Sequence, residues 1–109
     1  MEKFKVKITD EALEDMEKIY EYIADILLIP KSAIECYNKI ADAILTLSTM
    51  PERFELFDSE PECSWGLHRM IVDNYLVCYI VDFDVVTVTD VLYGASDIHT
   101  RLQDRHTTE

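Results

Sequence analysis

Glycine and proline are scarce in this chain of 109 residues, which has two of the first and three of the second. That composition excludes a Gly/Pro-rich linker or a low-complexity coil and lets each such residue mark a break in the fold. Cysteine carries no pattern either: Cys36, Cys63 and Cys78 form no CxxC pair and no Cys/His ligand spacing. Neither a structural zinc site nor a disulfide framework is expected from them. No run of eighteen apolar residues occurs, which argues against a membrane-spanning helix. The first residues, MEKFKVKITD, lack the apolar stretch of a secretory signal. The expectation is a cytoplasmic protein with free thiols, no metal and no other cofactor. Cations are also in short supply: 10 Lys and Arg face 22 Asp and Glu, for a formal charge of −12. Protein affinity for a polyanion comes mainly from Lys and Arg displacing its counterions. Weak or no direct nucleic-acid binding follows.

What is present is a globular pattern, 49% hydrophobic, enough for one core in a single domain over residues 1–109. From Lys3 to Ile8 the chain alternates, with Phe4, Val6 and Ile8 on one side and three lysines on the other, the period of a half-buried strand. Thr9 or Asp10 can cap a helix whose apolar stripe runs Leu13, Met16, Tyr20, Ile23 and Leu27, with Glu14, Asp15, Glu17, Glu21 and Asp25 opposite. Pro30 ends it. Ser32 with Glu35 reads as the capping box of a second helix carrying Ala33, Tyr37, Ile40, Ile44 and Leu47, up to the Met50–Pro51 break. A charged loop over 51–64 follows, from which Phe54, Leu56 and Phe57 are expected to tuck onto the core. Three strand-like runs separated by Asp73–Asn74 and Asp82–Phe83–Asp84 make a meander; Gly94 breaks the last, and a short helix follows. The fold class is therefore α+β: an N-terminal strand, a helical hairpin over 10–29 and 32–49, and an antiparallel sheet of about four strands. Leu13, Tyr20, Ile23, Tyr37, Ile40, Ile44, Val77 and Tyr79 are the expected core.

This order, with the phrases ITDEALEDMEKIYEYIAD, LSTMPERF, LHRMIVDNYLVCYIVD and VTDVLYGASDIHTRL, resembles the RelE/ParE toxins of bacterial type II toxin–antitoxin pairs, also known as plasmid stabilisation or addiction modules. The resemblance covers nearly the whole chain. Its RNA-cleaving branch implies ribosome-dependent mRNA cleavage by a basic cluster on the meander and the carboxy-terminal segment. Of that cluster, the basic residue before the meander turn is kept as Arg69, the arginine after the turn falls on Leu76, and the basic pair after the last strand falls on Ala95 and Ser96. Cleavage needs proton transfer and cations against the phosphorane-like transition state. The residues left for it are Arg69, His99 and Arg101, and the last two also read simply as part of a solvent-exposed terminal helix. His68 is next to Arg69 in a strand, so the two point to opposite faces.

The other branch, ParE-like, implies poisoning of DNA gyrase by protein contact and does not need those groups. Arg69, Tyr93 and Asp97 are the candidate partner-binding residues for it. The resemblance further implies a cognate antitoxin segment as partner, with gyrase or the ribosome as target and a homodimer as one option. Of the two readings, the ParE-like binding protein is favoured over the endoribonuclease, and a degenerate, inactive member is the third.

Overall fold

The computed structural model describes residues 3–57, 60, 63–94 and 102. Strand β1, Lys5–Ile8, forms as its alternation predicts, with Val6 and Ile8 against the core and Lys5 and Lys7 exposed. Helix α1, Asp10–Glu21, is capped by Thr9, whose hydroxyl oxygen accepts the Ala12 N–H at 3.1 Å, while Asp10 and Glu11 complement the helix dipole. The helix loosens into a π-helical turn at Tyr22–Ile26, where the Leu27 N–H reaches the Tyr22 carbonyl at 3.0 Å. Leu28 then takes a φ of 61°. Helix α2, Pro30–Leu45, begins with its proline. The capping box expected at Ser32 is not used, because proline at the first helical position has its φ preset and its missing N–H is no loss there. Pro30 thus starts the second helix instead of ending the first.

Strands β2 (His68–Val72), β3 (Tyr75–Asp82) and β4 (Val85–Tyr93) form the expected antiparallel meander, in the sheet order β1-β4-β3-β2. Asp73 and Phe83 take positive φ values of 54° and 57° in its two turns. At the exit of β4, Gly94 donates its N–H to the Asn74 carbonyl at 2.8 Å, and a Cβ there would stand 3.1 Å from that oxygen. The α+β class and the helical hairpin on a four-stranded sheet match expectation, but the sheet is mixed. Strand β1 pairs parallel to β4, from Lys5 opposite Val85 to Ile8 opposite Val88. The reason is that the chain does not reverse between β1 and α1. Helix α1 carries on past the end of β1, so that Asp15 reaches Val91, beyond the last β1–β4 pair. Helix α2 then returns, bringing the Ser48 carbonyl to the Phe4 N–H at 2.7 Å. Three alternating strands after that restore the direction of β1.

Strand β4 has nine residues and β1 only four, so part of the β4 edge lacks a strand partner. Side chains take over. The Thr9 hydroxyl donates to the Thr89 carbonyl at 3.4 Å, and the Asp15 carboxylate accepts the Val91 N–H at 3.0 Å. Asp15 is therefore buried, not on the acidic solvent face where helical periodicity places it. Turning Asp15 inward rotates the helix: the buried line is Ala12, Met16 and Ile23, and Leu13 is 38% exposed. Ile23, Ile40, Ile44, Val77 and Tyr79 are buried as expected; Tyr20 and Tyr37 are half-buried and meet edge-to-face at 6.3 Å.

A bulge also shapes β4. Cys78 opposes Asp90 and Tyr79 opposes Val88, leaving Thr89 as the extra residue. An extra residue switches which face later side chains occupy. Val86 and Val88 face the hairpin before it and Val91 after it, whereas Leu92 joins Phe57, Leu67, Cys78 and Leu102 in a second apolar cluster on the outer face. Phe57 tucks in as expected and Phe54 packs on the main core, but Leu56 is 41% exposed. The expected terminal helix lies outside the described residues, except for Leu102, which is helical and fully buried.

Two predictions follow from these buried polar groups. Asp15→Ala removes the acceptor of a buried N–H, and unfolding in urea should show a loss of about 1–3 kcal/mol; Asp15→Asn, which keeps a carbonyl acceptor, should lose clearly less. Tyr79 is fully buried and donates its hydroxyl to the Pro51 carbonyl at 2.5 Å. Burial pushes its phenol from 10.0 up to about 12, with Arg53 opposing the rise. Because the folded value is the higher one, the stabilisation is complete below pH 10.0 and is lost as pH rises towards 12. The shift is worth about 3 kcal/mol. Urea titrations at rising alkaline pH should show that loss in the wild type and not in Tyr79→Phe.

Candidate contact site on the outer sheet face

Alternation along β2 sends Met70 and Val72 towards the hairpin and leaves Arg69 and Ile71 on the outer face. His68, on the hairpin side, stacks on Tyr79 with ring centroids 5.1 Å apart, and its Nδ1 lies 2.9 Å from the Phe54 carbonyl. A carbonyl only accepts, so Nδ1 carries the proton and the ring braces the loop. His68 and Arg69 do point apart, as the strand period requires. Arg53 is structural too: its guanidinium bonds the Thr49 carbonyl at 2.7 Å and the Met50 carbonyl at 3.1 Å and lies over the Phe54 ring.

Residues 55–57 lie along the outer edge of β2. The Arg69 N–H donates to the Glu55 carbonyl at 2.9 Å and the Phe57 N–H to the Leu67 carbonyl at 3.0 Å. The Arg69 guanidinium sits 5.7 Å from the Phe57 ring centroid and 3.4 Å from the Glu55 carboxylate. Glu55 is 81% exposed, so this ion pair is weak, on the order of 0–1 kcal/mol, and exchanges easily for another anion.

Beyond Arg69 a shallow groove of about 470 Å³ opens at the meander tip, lined by Phe57, Ile71, Asn74, Leu76 and Tyr93 among others. Leu76 stands opposite Ile71 on one side and Leu92 on the other, so the position after the turn is apolar in all its cross-strand surroundings. Ile71 is 72% exposed. Asp73, at the rim, is held by Lys39 at 2.8 Å. Tyr75 and Tyr93 place their rings 5.8 Å apart, and burial pushes the Tyr75 phenol above its ordinary value. Behind the groove, buried Asp90 accepts the Thr89 hydroxyl at 2.7 Å.

The groove brings together Arg69 and Tyr93, two of the three candidate partner-binding residues. The third, Asp97, and the nuclease candidates His99 and Arg101 lie outside the described residues, as do Ala95 and Ser96. Reading the sequence alone missed Ile71, Phe57 and Glu55. Ile71 was within reach, two residues from Arg69 on the same strand face; Phe57 and Glu55 sit in a loop with no period to place them. Among the described residues no group of three or more His, Cys, Asp or Glu could hold a metal ion, and no helix is long and apolar enough to cross a membrane. No disulfide joins Cys36, Cys63 and Cys78, and burial, then Asp73, pushes the Cys36 thiol above its ordinary value.

The order of one strand, a helical hairpin and a three-stranded meander agrees with the RelE/ParE resemblance read from the sequence. The chain belongs to the ParE toxin family of type II toxin–antitoxin systems (parDE), whose model matches residues 6–98. No curated protein matches the sequence. Among solved structures it is similar to the chromosomal ParDE toxin–antitoxin system of P. aeruginosa, with a TM-score of 0.69 and 17% identity over 83% of this chain and 95% of that one. It is also similar to the RelBE2 toxin–antitoxin complex of Mycobacterium tuberculosis, with a TM-score of 0.62 and 19% identity over 88% and 97%. The RelE–RelB complex of Pyrococcus horikoshii gives 0.56 and 19% over 85% and 97%.

Proposed function

We propose that this toxin acts by protein–protein contact through the groove at the meander tip, as a ParE-like inhibitor of a large partner such as DNA gyrase, and that a cognate antitoxin silences it. The observation that carries this reading is the setting of Leu76 between Ile71 and Leu92. RNA cleavage would need cations there, and removing even one preorganised charge donor costs about 100- to 1,000-fold in rate. Among the described residues lining the groove Arg69 is the one cation, and Glu55 already pairs with it. An exposed apolar surface with a single arginine has the composition of a contact hot spot. The antitoxin as partner is supported by the family and by the neighbours, which are toxin–antitoxin assemblies. The single domain over 1–109 and a cytoplasmic location complete the reading.

Primer-extension analysis on translating ribosomes tests the choice. No site-specific cleavage is expected from the wild type, and induction should give filamentation with DNA-damage signalling, not rapid translation arrest. Ile71→Glu places a charge in the groove without touching the core, and it should relieve the growth defect while the protein stays folded by circular dichroism. Specific cleavage that vanishes in Arg69→Ala would establish the endoribonuclease instead.

A further inference from the structure

The free edge of the sheet at β2 is closed over only part of its length. Residues 55–57 run along it, with the Arg69 N–H on the Glu55 carbonyl and Leu56 bridging antiparallel to His68. In an antiparallel pair, successive residues turn their backbone groups alternately towards the partner strand and away from it. The Arg69 N–H points away from β3, so the N–H and carbonyl of Ile71, two residues on, leave by the same edge. No described residue bonds them, because at Phe54 the chain turns inward to pack on the main core. Beside Ile71 this leaves a hollow of about 300 Å³, lined by Arg53, Phe54, Glu55, Arg69 and Ile71. It lies where the line of residues 55–57 would continue if the chain did not turn away.

The chemistry of the hollow selects its occupant. An outward N–H next to an outward carbonyl matches an extended peptide backbone, donor to acceptor and acceptor to donor. A phosphate group only accepts, and it would leave the carbonyl unmet. Two guanidiniums, of Arg53 and Arg69, line the hollow, and the carboxylate among its lining residues is that of Glu55. Glu55 reaches Arg69 at 3.4 Å from an 81% exposed position, so it holds the place of an anion loosely. The Phe57 ring, 5.7 Å from the guanidinium, helps to keep Arg69 in position when Glu55 leaves. A residue opposite Ile71 on an added strand shares its face of the sheet, and a long side chain there reaches Arg69 on the diagonal. A residue two positions further lies on that same face, towards the apolar groove at the meander tip.

We propose that this edge of β2 takes an extended segment of the inhibited target protein that carries a glutamate. Its backbone pairs with Ile71, its carboxylate replaces that of Glu55 on Arg69, and an apolar side chain two positions away enters the groove. The occupant belongs to the target, so this assignment rests on the contact reading of the toxin. Glu55 is then an internal stand-in that the target displaces, and a segment without an acid leaves the Glu55–Arg69 pair intact. On a chain of charge −12 a single carboxylate can meet this local pair of arginines, whereas a polyanion is repelled as a whole.

The test uses the full chain and labelled peptides of about ten residues, roughly 33 Å when extended. One carries a central glutamate with leucine two positions away on either side; in the other, glutamine replaces the glutamate. Fluorescence anisotropy should show the glutamate peptide binding at least about tenfold more tightly. Arg69→Gln should remove that preference, and Glu55→Gln should tighten the glutamate peptide by about two- to fivefold. Both side chains reach solvent, so these variants keep the fold. Methylating the backbone nitrogen of the central glutamate should weaken binding about tenfold. Hydrogen exchange at the Ile71 amide should slow when the unmethylated peptide is bound. Equal binding of the two peptides, a preference that survives Arg69→Gln, no gain from Glu55→Gln, or unchanged exchange at Ile71 would each overturn the proposal. So would single-stranded RNA of about ten nucleotides that displaces the labelled peptide at lower concentration than unlabelled peptide does. Inhibition of gyrase is scored separately: a chain that leaves gyrase active fails as a ParE-like inhibitor, while the peptide result still decides what the β2 edge recognises.

Discussion

The bond from the Val91 N–H to the Asp15 carboxylate is the contact on which the rest of the structure depends. β4 is a central strand, paired with β1 on one side and β3 on the other, and it is more than twice as long as β1. Past Val88 its edge would be left with unpaired amides in a buried place, a cost of a few kcal/mol if unmet. A carboxylate from the helix meets that demand at one point only, which fixes how far and in what direction α1 travels. The rotation of α1 and the docking of the hairpin over Val86, Val88 and Val91 go with it.

Just before that contact, the Thr89 bulge turns the end of β4 over. Without it Leu92 would face the hairpin. With it, Leu92 lies beside Leu76 on the outer face, where the second cluster supports the meander tip. The same two devices that close the sheet against the hairpin thus produce an apolar outer face. Among the described residues lining the groove on that face there is one arginine, a composition that supports the proposed contact role over one in phosphate chemistry. The charge of the whole chain points the same way, because a body at −12 is repelled by polyanions at distances where only net charge acts.

Much of this was legible in the sequence because period and punctuation report it directly. The alternation of Val6 and Ile8, the Thr9 cap, the turn at Asp73–Asn74 and the break at Gly94 are local signals, and each appears where expected. The direction of β1 was not legible, since it depends on whether the chain reverses after Ile8, and no residue type encodes that. The role of Asp15 was hidden for a related reason: helical period assigns an acid to solvent, and only the short length of β1 creates the buried amide it serves. Arg69 and Tyr93 could be named from the resemblance, and the meander brings them to one groove. Phe57 and Glu55 could not, because a loop residue has no periodicity and its neighbours across space are set by the strand edge it happens to cover.

The central claim is that the outer face works by contact with a protein and not by chemistry on RNA. Supercoiling of relaxed plasmid by purified DNA gyrase, with the toxin added in increasing amounts, tests it most directly. Inhibition that saturates with toxin, and that is lost when Ile71 is replaced by glutamate, is the predicted result. Full supercoiling at every toxin concentration, together with growth arrest in cells, would contradict it.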